Sequence, residues 1–252
     1  MIVYGINPVL EALRAGRVRE LRVGREGGRV QDLLALAGER GVRVRRVPPD
    51  ALDRDARGGV HQDVVAVIEG ARDYSVDELI RDAAGPPLLV VLDGIEDPHN
   101  LGAILRTADA AGVDGVIVQS RRSAALGGAA AKASAGAVAH VRIATVVNIA
   151  RTVDELKEAG VWTVGLAGDA ATTYDAVDFT LPTAIVLGAE GSGLRRLVRE
   201  RCDVLAAIPL RGHVESLNVS VAAGVTLFEA VRQRRDRASG GPGRTGRVRS
   251  GV

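Results

Sequence analysis

The sequence predicts an α/β protein in which a parallel sheet covered by helices follows a smaller α/β unit. Three observations predict it. From residue 87 onward, short apolar runs alternate with longer segments of helical spacing. Residues 1–70 alternate in the same way on a smaller scale. Between them, Arg72 to Pro87 is polar and ends in Gly85-Pro86-Pro87, the composition of a linker or domain boundary. The expected divisions are a small domain over 1–70, a linker over 71–86, a main domain over 87–237 and a tail over 238–252.

In the small domain, Asn7-Pro8 ahead of Val9, Leu10, Ala12 and Leu13 predicts a short helix. Glu20 to Val23 predicts a strand. Val30 to Ala37 has helical spacing and stops at Gly38 or Gly41. Val42-Arg43-Val44 alternates like a strand, and Val64 to Ile68 is a β-branched run. In the main domain, Leu88–Leu92, Val116–Val118, Val161–Leu166, Ala184–Leu187 and Val204–Ile208 read as strands. Asn100–Ala111, residues 128–138, Asn148–Ala159, Leu194–Arg201 and Leu217–Arg235 read as helices. Ser239 to Val252 is rich in glycine, serine and arginine and is expected to be disordered.

Hydrophobic residues make up 46% and charged residues 25%, ordinary for a soluble globular protein. No apolar run approaches the roughly 20 residues that span a bilayer. The opening MIVYGINPVLEALRAG lacks a basic stretch followed by an apolar core, so no signal peptide is expected. The single cysteine, Cys202, excludes an internal disulfide and fits a reducing cytoplasm. Four scattered histidines, His61, His99, His140 and His213, give no metal-ligand spacing, and no metal is expected.

The net charge of +2 is unevenly spread. Residues 1–70 hold 12 arginines against 10 acids, residues 232–252 hold 7 against one, and the middle carries a balancing −6. Cationic ends suit a polyanionic partner gripped from the periphery; a merely solvated tail fits the C-terminal charge equally well. Aromatics are 2%, so base stacking is not the main recognition device.

Parallel α/β sheets bind ligands at the carboxyl ends of their strands. Three loops there are rich in glycine and polar side chains: Asp93 to Gly102, Gly188 to Leu194 and Pro209 to Asn218. The second is not a P-loop, because Leu194 and Arg195 stand where Lys and Ser/Thr are needed. Nor is it a dinucleotide fingerprint: Gly188, Gly191 and Gly193 have another order, and Glu190 repels a pyrophosphate. A neutral or cationic ligand read by backbone groups fits it, and so does a plain tight turn. Ser216 before the last helix and Asn100 before an earlier one both read equally as N-caps.

The three loops, in this order, resemble the three motifs of the SpoU/TrmH family within the SPOUT superfamily. The first motif is matched by Asp97-Pro98-His99-Asn100-Leu101-Gly102-Ala103 and runs on through Arg106 to Gly112. The second is matched by Val186-Leu187-Gly188-Ala189-Glu190-Gly191 with Gly193-Leu194, and the third by Ile208-Pro209-Leu210 with Ser216-Leu217-Asn218-Val219. The likeness covers residues 87–235. Tyr4-Gly5-Ile6-Asn7-Pro8-Val9 and Gly59-Val60-His61-Gln62 are similar to the N-terminal part of the RlmB-type subgroup, which methylates a guanosine of 23S ribosomal RNA. Asp63 stands where that subgroup often has glycine.

The resemblance implies a SPOUT methyltransferase sheet with a C-terminal trefoil knot over about 184–235, a homodimer, and an L30e-like RNA-holding domain over 1–70. It implies S-adenosylmethionine as cofactor, contacted by Gly188, Ile208 and Leu217 through backbone groups, with Leu210 and Gly191 lining the same pocket. It implies a ribose 2′-O-methylation in which Arg106 is the central catalytic residue, with Asn100, Glu190, Ser216 and Asn218 around it. Arginine stays protonated in proteins, so Arg106 is expected to clamp a phosphate and stabilise the developing alkoxide rather than act as base. The expected substrate is a guanosine of the peptidyl-transferase P loop. Alternatives are a tRNA or antibiotic-resistance rRNA methylase, a catalytically silent RNA-binding or ribosome-assembly factor, and a nicotinamide-dependent oxidoreductase.

Overall fold

The computed structural model describes residues 2–25, 27–68, 72–120, 134 and 137–239. The helix expected over 128–138 and the tail beyond 239 fall almost wholly outside these. Two sheets organise the described residues.

The first sheet has the order β1-β4-β2-β3, built from β1 (Ile2–Tyr4), β2 (Val18–Val23), β3 (Arg43–Arg46) and β4 (Val64–Ile68). β4 runs antiparallel to both β1 and β2, and β2 runs parallel to β3. Helices α1 (Ile6–Arg14) and α2 (Arg29–Glu39) bury Val9, Leu13, Leu33 and Ala37 against one face. Helix α3 (Pro49–Ala56) buries Leu52 and Ala56 against Tyr4 and Val65 on the other. The edge strand β3 is exposed throughout, and its arginines guard the open edge against pairing with other chains. Asp63 sits at φ 61, a left-handed conformation that glycine adopts freely and aspartate tolerates.

The second sheet has eight strands in the order β10-β12-β9-β11-β6-β7-β8-β5, every pair parallel. In chain order these are β5 (Asp73–Tyr74), β6 (Leu88–Asp93), β7 (Gly115–Gln119), β8 (Ile143–Val146), β9 (Trp162–Leu166), β10 (Thr172–Thr173), β11 (Thr183–Gly188) and β12 (Val204–Ala207). The central pair β6 and β11 is buried at every position, as a parallel sheet covered on both faces requires. Alternation then sorts the side chains. Leu88, Val90, Leu92, Ile185 and Leu187 face a core shared with α5 (Pro98–Ala110) and α8 (Val219–Ala238). Leu89, Val91, Ala184 and Val186 face a core shared with α4 (Val76–Arg81), α6 (Ile149–Glu158) and α7 (Arg196–Arg201). Full burial of each such side chain contributes about 1.5–3 kcal/mol before entropy is charged against it.

The segment read as a linker is structured. It carries β5, which joins the sheet edge beside β8, and α4, whose Leu79 is wholly buried. Ser75 and Glu78 form a capping box at the start of α4: Glu78 N–H donates to Ser75 Oγ at 3.1 Å and Ser75 N–H to Glu78 Oε2 at 2.8 Å. The turn between α1 and β2 also reaches the turn before β8, with Arg17 Nη1 donating to the Val138 carbonyl at 3.2 Å. Near the end of α8, Arg234 donates to the carbonyls of Pro86, Pro87, Phe179 and Leu181 at 2.5–3.1 Å. It satisfies chain ends leading into β6 and β11, and its burial pushes its pKa below the usual guanidinium value. No helix among the described residues is long and apolar enough to cross a membrane.

Candidate active site

β6 and β11 are neighbours in register, with Asp93 opposite Gly188 at their carboxyl ends. The loops that follow them therefore emerge side by side on one edge of the sheet. The loop after β12 opens on the same edge, because β12 runs parallel to β9 and β9 to β11.

The β11 loop is a tight, closed turn. Ala189 N–H donates to the Gly193 carbonyl at 3.0 Å and Gly193 N–H to the Ala189 carbonyl at 2.8 Å. The returning chain lies directly over Gly188: a Cβ there would stand 2.1 Å from the Gly193 carbonyl carbon. Only glycine fits. Gly191 and Gly193, at φ 78 and 66, take the left-handed turns that close the loop. Its far end is fastened by Asp93, fully buried at the end of β6, which accepts from Arg195 N at 2.8 Å and Arg195 Nε at 2.6 Å. Motif matching did not single out Asp93. The available signal was an acid closing an otherwise wholly apolar buried strand.

Three of the expected catalytic residues meet. Asn100 Nδ2 donates to Glu190 Oε2 at 2.9 Å. Asn218 Nδ2 donates to Asn100 Oδ1 at 2.9 Å and to Glu190 Oε1 at 3.4 Å. Both carboxylate oxygens of Glu190 are thus engaged, and Asn100, although buried, has its amide satisfied. Asn100 is not a helix cap. Asp97 takes that place, accepting from the backbone N–H groups of His99 and Asn100 at 3.2 and 3.3 Å. Asn100 is left one turn in, with its side chain free for the cluster. Ser216 is not a cap either. Asn218 caps α8, its Oδ1 accepting from Ser220 N at 2.9 Å, so the same side chain starts the helix and joins the cluster.

Arg106 and Ser216 are not part of this network. Arg106 is exposed on α5 and makes no hydrogen bond or ion pair among the described residues. It lies six residues beyond Asn100, about 9 Å along the axis and on another face. Ser216 is exposed in the loop before α8.

The expected cofactor residues flank the cluster. Gly188 is buried beneath its loop, Gly191 is exposed at the turn, and Ile208, Leu210 and Leu217 lie along the segment from β12 to α8. The amides and carbonyls of residues 210–217 bond to no other backbone group among the described residues, which leaves them open to solvent or to a ligand. A cavity of about 350 Å³ adjoins the cluster, lined by Asn100, Glu190, Ser192 and Val219 and by Gly94 to Asp97. Cys202 lies behind the β11 loop. Burial pushes its thiol up to about 12, so it stays protonated and is no nucleophile at neutral pH.

Comparison with known proteins bears on this arrangement. The pattern of the SpoU rRNA Methylase family matches residues 87–228. The pattern described as RNA 2'-O ribose methyltransferase substrate binding matches residues 2–74. The 23S rRNA (guanosine-2'-O-)-methyltransferase RlmB of Pseudomonas syringae pv. tomato is 48% identical over 239 residues, covering 92% of this chain and 95% of the relative. The SpoU methyltransferase AviRb from Streptomyces viridochromogenes, in complex with its cofactor AdoMet, superposes with a TM-score of 0.78 at 29% identity, over 94% of this chain and 91% of that one. The AdoMet-bound rRNA methyltransferase from Sinorhizobium meliloti gives 0.73 at 29% identity, over 92% and 86%.

Proposed function

The chain belongs to the SpoU rRNA methylase family, and from that premise we propose that it transfers a methyl group from S-adenosylmethionine to a ribose 2′-hydroxyl of RNA, a guanosine of 23S ribosomal RNA. The observation that carries this is the cluster of Asn100, Glu190 and Asn218, three polar side chains from three separate motifs joined on the ligand-binding edge of the sheet. A silent RNA-binding factor has no need of such a cluster. A nicotinamide enzyme needs a phosphate cradle, which Glu190 opposes.

The β11 loop and the unbonded backbone of 210–217 fit a cofactor whose edges are read by backbone groups. Gly188, Gly191, Ile208, Leu210 and Leu217 would hold it. When bound, S-adenosylmethionine supplies an electrophilic methyl group on a positively charged sulfur. The protein has to place the hydroxyl in line with that methyl and stabilise the oxygen as its proton leaves. Asn100 and Asn218, fixed by Glu190, hold the loops in register and orient the ribose, and Ser216 extends the polar rim. Arg106, with no competing carboxylate partner among the described residues, is available to a phosphate beside the target ribose. From there its permanent charge stabilises the developing alkoxide. Residues 1–70, with their exposed arginine strand β3, help to hold the RNA.

The test is methyl transfer from radiolabelled S-adenosylmethionine into 23S, 16S and tRNA pools, with mapping of the modified ribose. Label is expected in 23S RNA at a guanosine; label confined to tRNA would overturn the substrate assignment.

We further propose that the protein acts in the cytoplasm as a homodimer. Support for the dimer comes from α8, where Val221 and Phe228 are each 51% exposed and Val225, on the same face, is half-buried. Residues spaced four and seven apart form one stripe, an unusual thing to leave in water. Phe228→Glu is expected to halve the mass seen by sedimentation equilibrium. A wild-type protein that sediments as a single chain rules the dimer out.

A further inference from the structure

We propose that the buried Asp93–Arg195 ion pair positions the two halves of the site against each other, holding the cofactor loop in line with the groups that face the ribose. This rests on the RNA ribose methylation proposed above. Asp93 is the last residue of β6, and its side chain is fully buried after five apolar residues, Leu88 to Leu92. Its partner lies 102 positions away, where the β11 loop ends and α7 begins. Three contacts join them. Asp93 Oδ2 accepts from the Arg195 backbone N–H at 2.8 Å, and Oδ1 accepts from Nε at 2.6 Å with Nη2 at 2.5 Å. One carboxylate therefore fixes both the main chain and the side chain of Arg195.

Stability alone does not explain the pair. Taking a carboxylate out of water is costly, and apolar groups of the same shape commonly serve a fold as well or better. What the pair adds is direction, because its bonds hold only over a narrow range of distance and angle. Direction matters at this point of the chain. The start of the β11 loop is set by the ladder, where Gly188 stands opposite Asp93. Its rim is tied by Asn100 to Glu190. Its exit has slight apolar anchorage, since α7 is six residues long and buries only Val198. Asp93 supplies the tie at that exit.

The two sides that it joins carry different tasks. From β6 the chain runs on to α5, which holds Asn100 and Arg106. From β11 it runs into the loop assigned to S-adenosylmethionine, with Gly188 and Gly191. Methyl transfer needs the ribose oxygen and the methyl in line, and a misplacement of about 1 Å costs about 10²-fold in rate. Neither Asp93 nor Arg195 lines the cavity beside the Asn100–Glu190–Asn218 cluster. Both act through the loops that they join, as positioning residues.

The test compares wild type with the double variant Asp93→Leu/Arg195→Met, which removes both charges while leucine keeps the branched shape of aspartate and methionine the stem of arginine. Single-turnover methyl transfer is measured at saturating S-adenosylmethionine on the RNA that wild type labels, with calorimetry for cofactor affinity and thermal unfolding for the fold. The double variant is expected to melt within about 4 °C of wild type or above it. Its cofactor affinity should stay within about fivefold, because the Ala189–Gly193 bonds that close the loop remain. Its transfer rate should fall at least about tenfold. Asp93→Asn should show the same split, and it decides the matter if the double variant does not fold. It keeps the shape, and sets an amide donor against either the guanidinium or the backbone N–H, which offer only donors. A folded double variant whose rate falls by less than about tenfold overturns the proposal, as does a folded Asp93→Asn protein at the full wild-type rate. In both cases the methylation by wild type leaves the reading beneath it standing. A wild type that methylates no RNA overturns that reading, and the proposal with it.

Discussion

Arg106→Ala is expected to lower the single-turnover rate of methyl transfer by about 10²–10³-fold, the usual cost of removing one preorganised charge from a developing oxyanion. S-adenosylmethionine affinity should stay within about twofold, because Arg106 is exposed on α5 and belongs to none of the loops assigned to the cofactor. The fold should be untouched, since the side chain makes no bond among the described residues. Arg106→Lys should fall between the two, keeping the charge and losing the planar fork that grips a phosphate. Rapid-quench measurement at saturating cofactor, with calorimetry for binding, separates these effects. A variant that retains more than about a tenth of wild-type activity removes Arg106 from the chemistry.

Gly188→Ala is expected to do the reverse, striking the cofactor first. The added methyl would sit 2.1 Å from the Gly193 carbonyl carbon and 2.3 Å from the Leu194 nitrogen. Both are backbone atoms and cannot swing aside. The loop is held by the paired Ala189–Gly193 bonds and by the Asp93–Arg195 fastening, so relief requires breaking one or both. Overpacking of this kind costs about 1–3 kcal/mol or more in stability. The larger effect should be on S-adenosylmethionine, whose affinity should fall by at least about 100-fold as the backbone cradle opens. Gly168→Ala is the control, since a Cβ there meets open space. Normal cofactor binding by a folded Gly188→Ala protein would remove this loop from the cofactor site.

Much of this was legible in the sequence. The central strands β6 and β11 declare themselves as apolar runs because a doubly covered parallel strand has no polar face to show. The three loops are legible as motifs because chemistry fixes residue types at fixed spacing. What escaped notice was set by contacts distant in sequence or by weak local signals. β8 is four residues long beside an alanine-rich stretch, and β5 and α4 lie in a segment whose polar composition resembles a linker. The Ser75–Glu78 capping box was the readable sign of α4. α3 went unseen because it buries only Leu52 and Ala56. The roles of Asn100 and Asn218 were undecidable locally. Either serves as a cap by sequence, and only the position of Asp97 frees the first while the geometry of α8 gives the second both tasks.

The cluster also ties competence to the history of the chain. Asn100 meets Glu190 across 90 residues and Asn218 across 118. Contacts this distant close late, because the entropy of joining remote segments is charged before the bonds return anything. A nascent or truncated chain that ends before Asn218 holds two members of the cluster and no assembled centre. With Asn218 in the catalytic role proposed for it, a chain cut short before residue 218 is expected to transfer no methyl to RNA, which a methylation assay on the truncated protein checks.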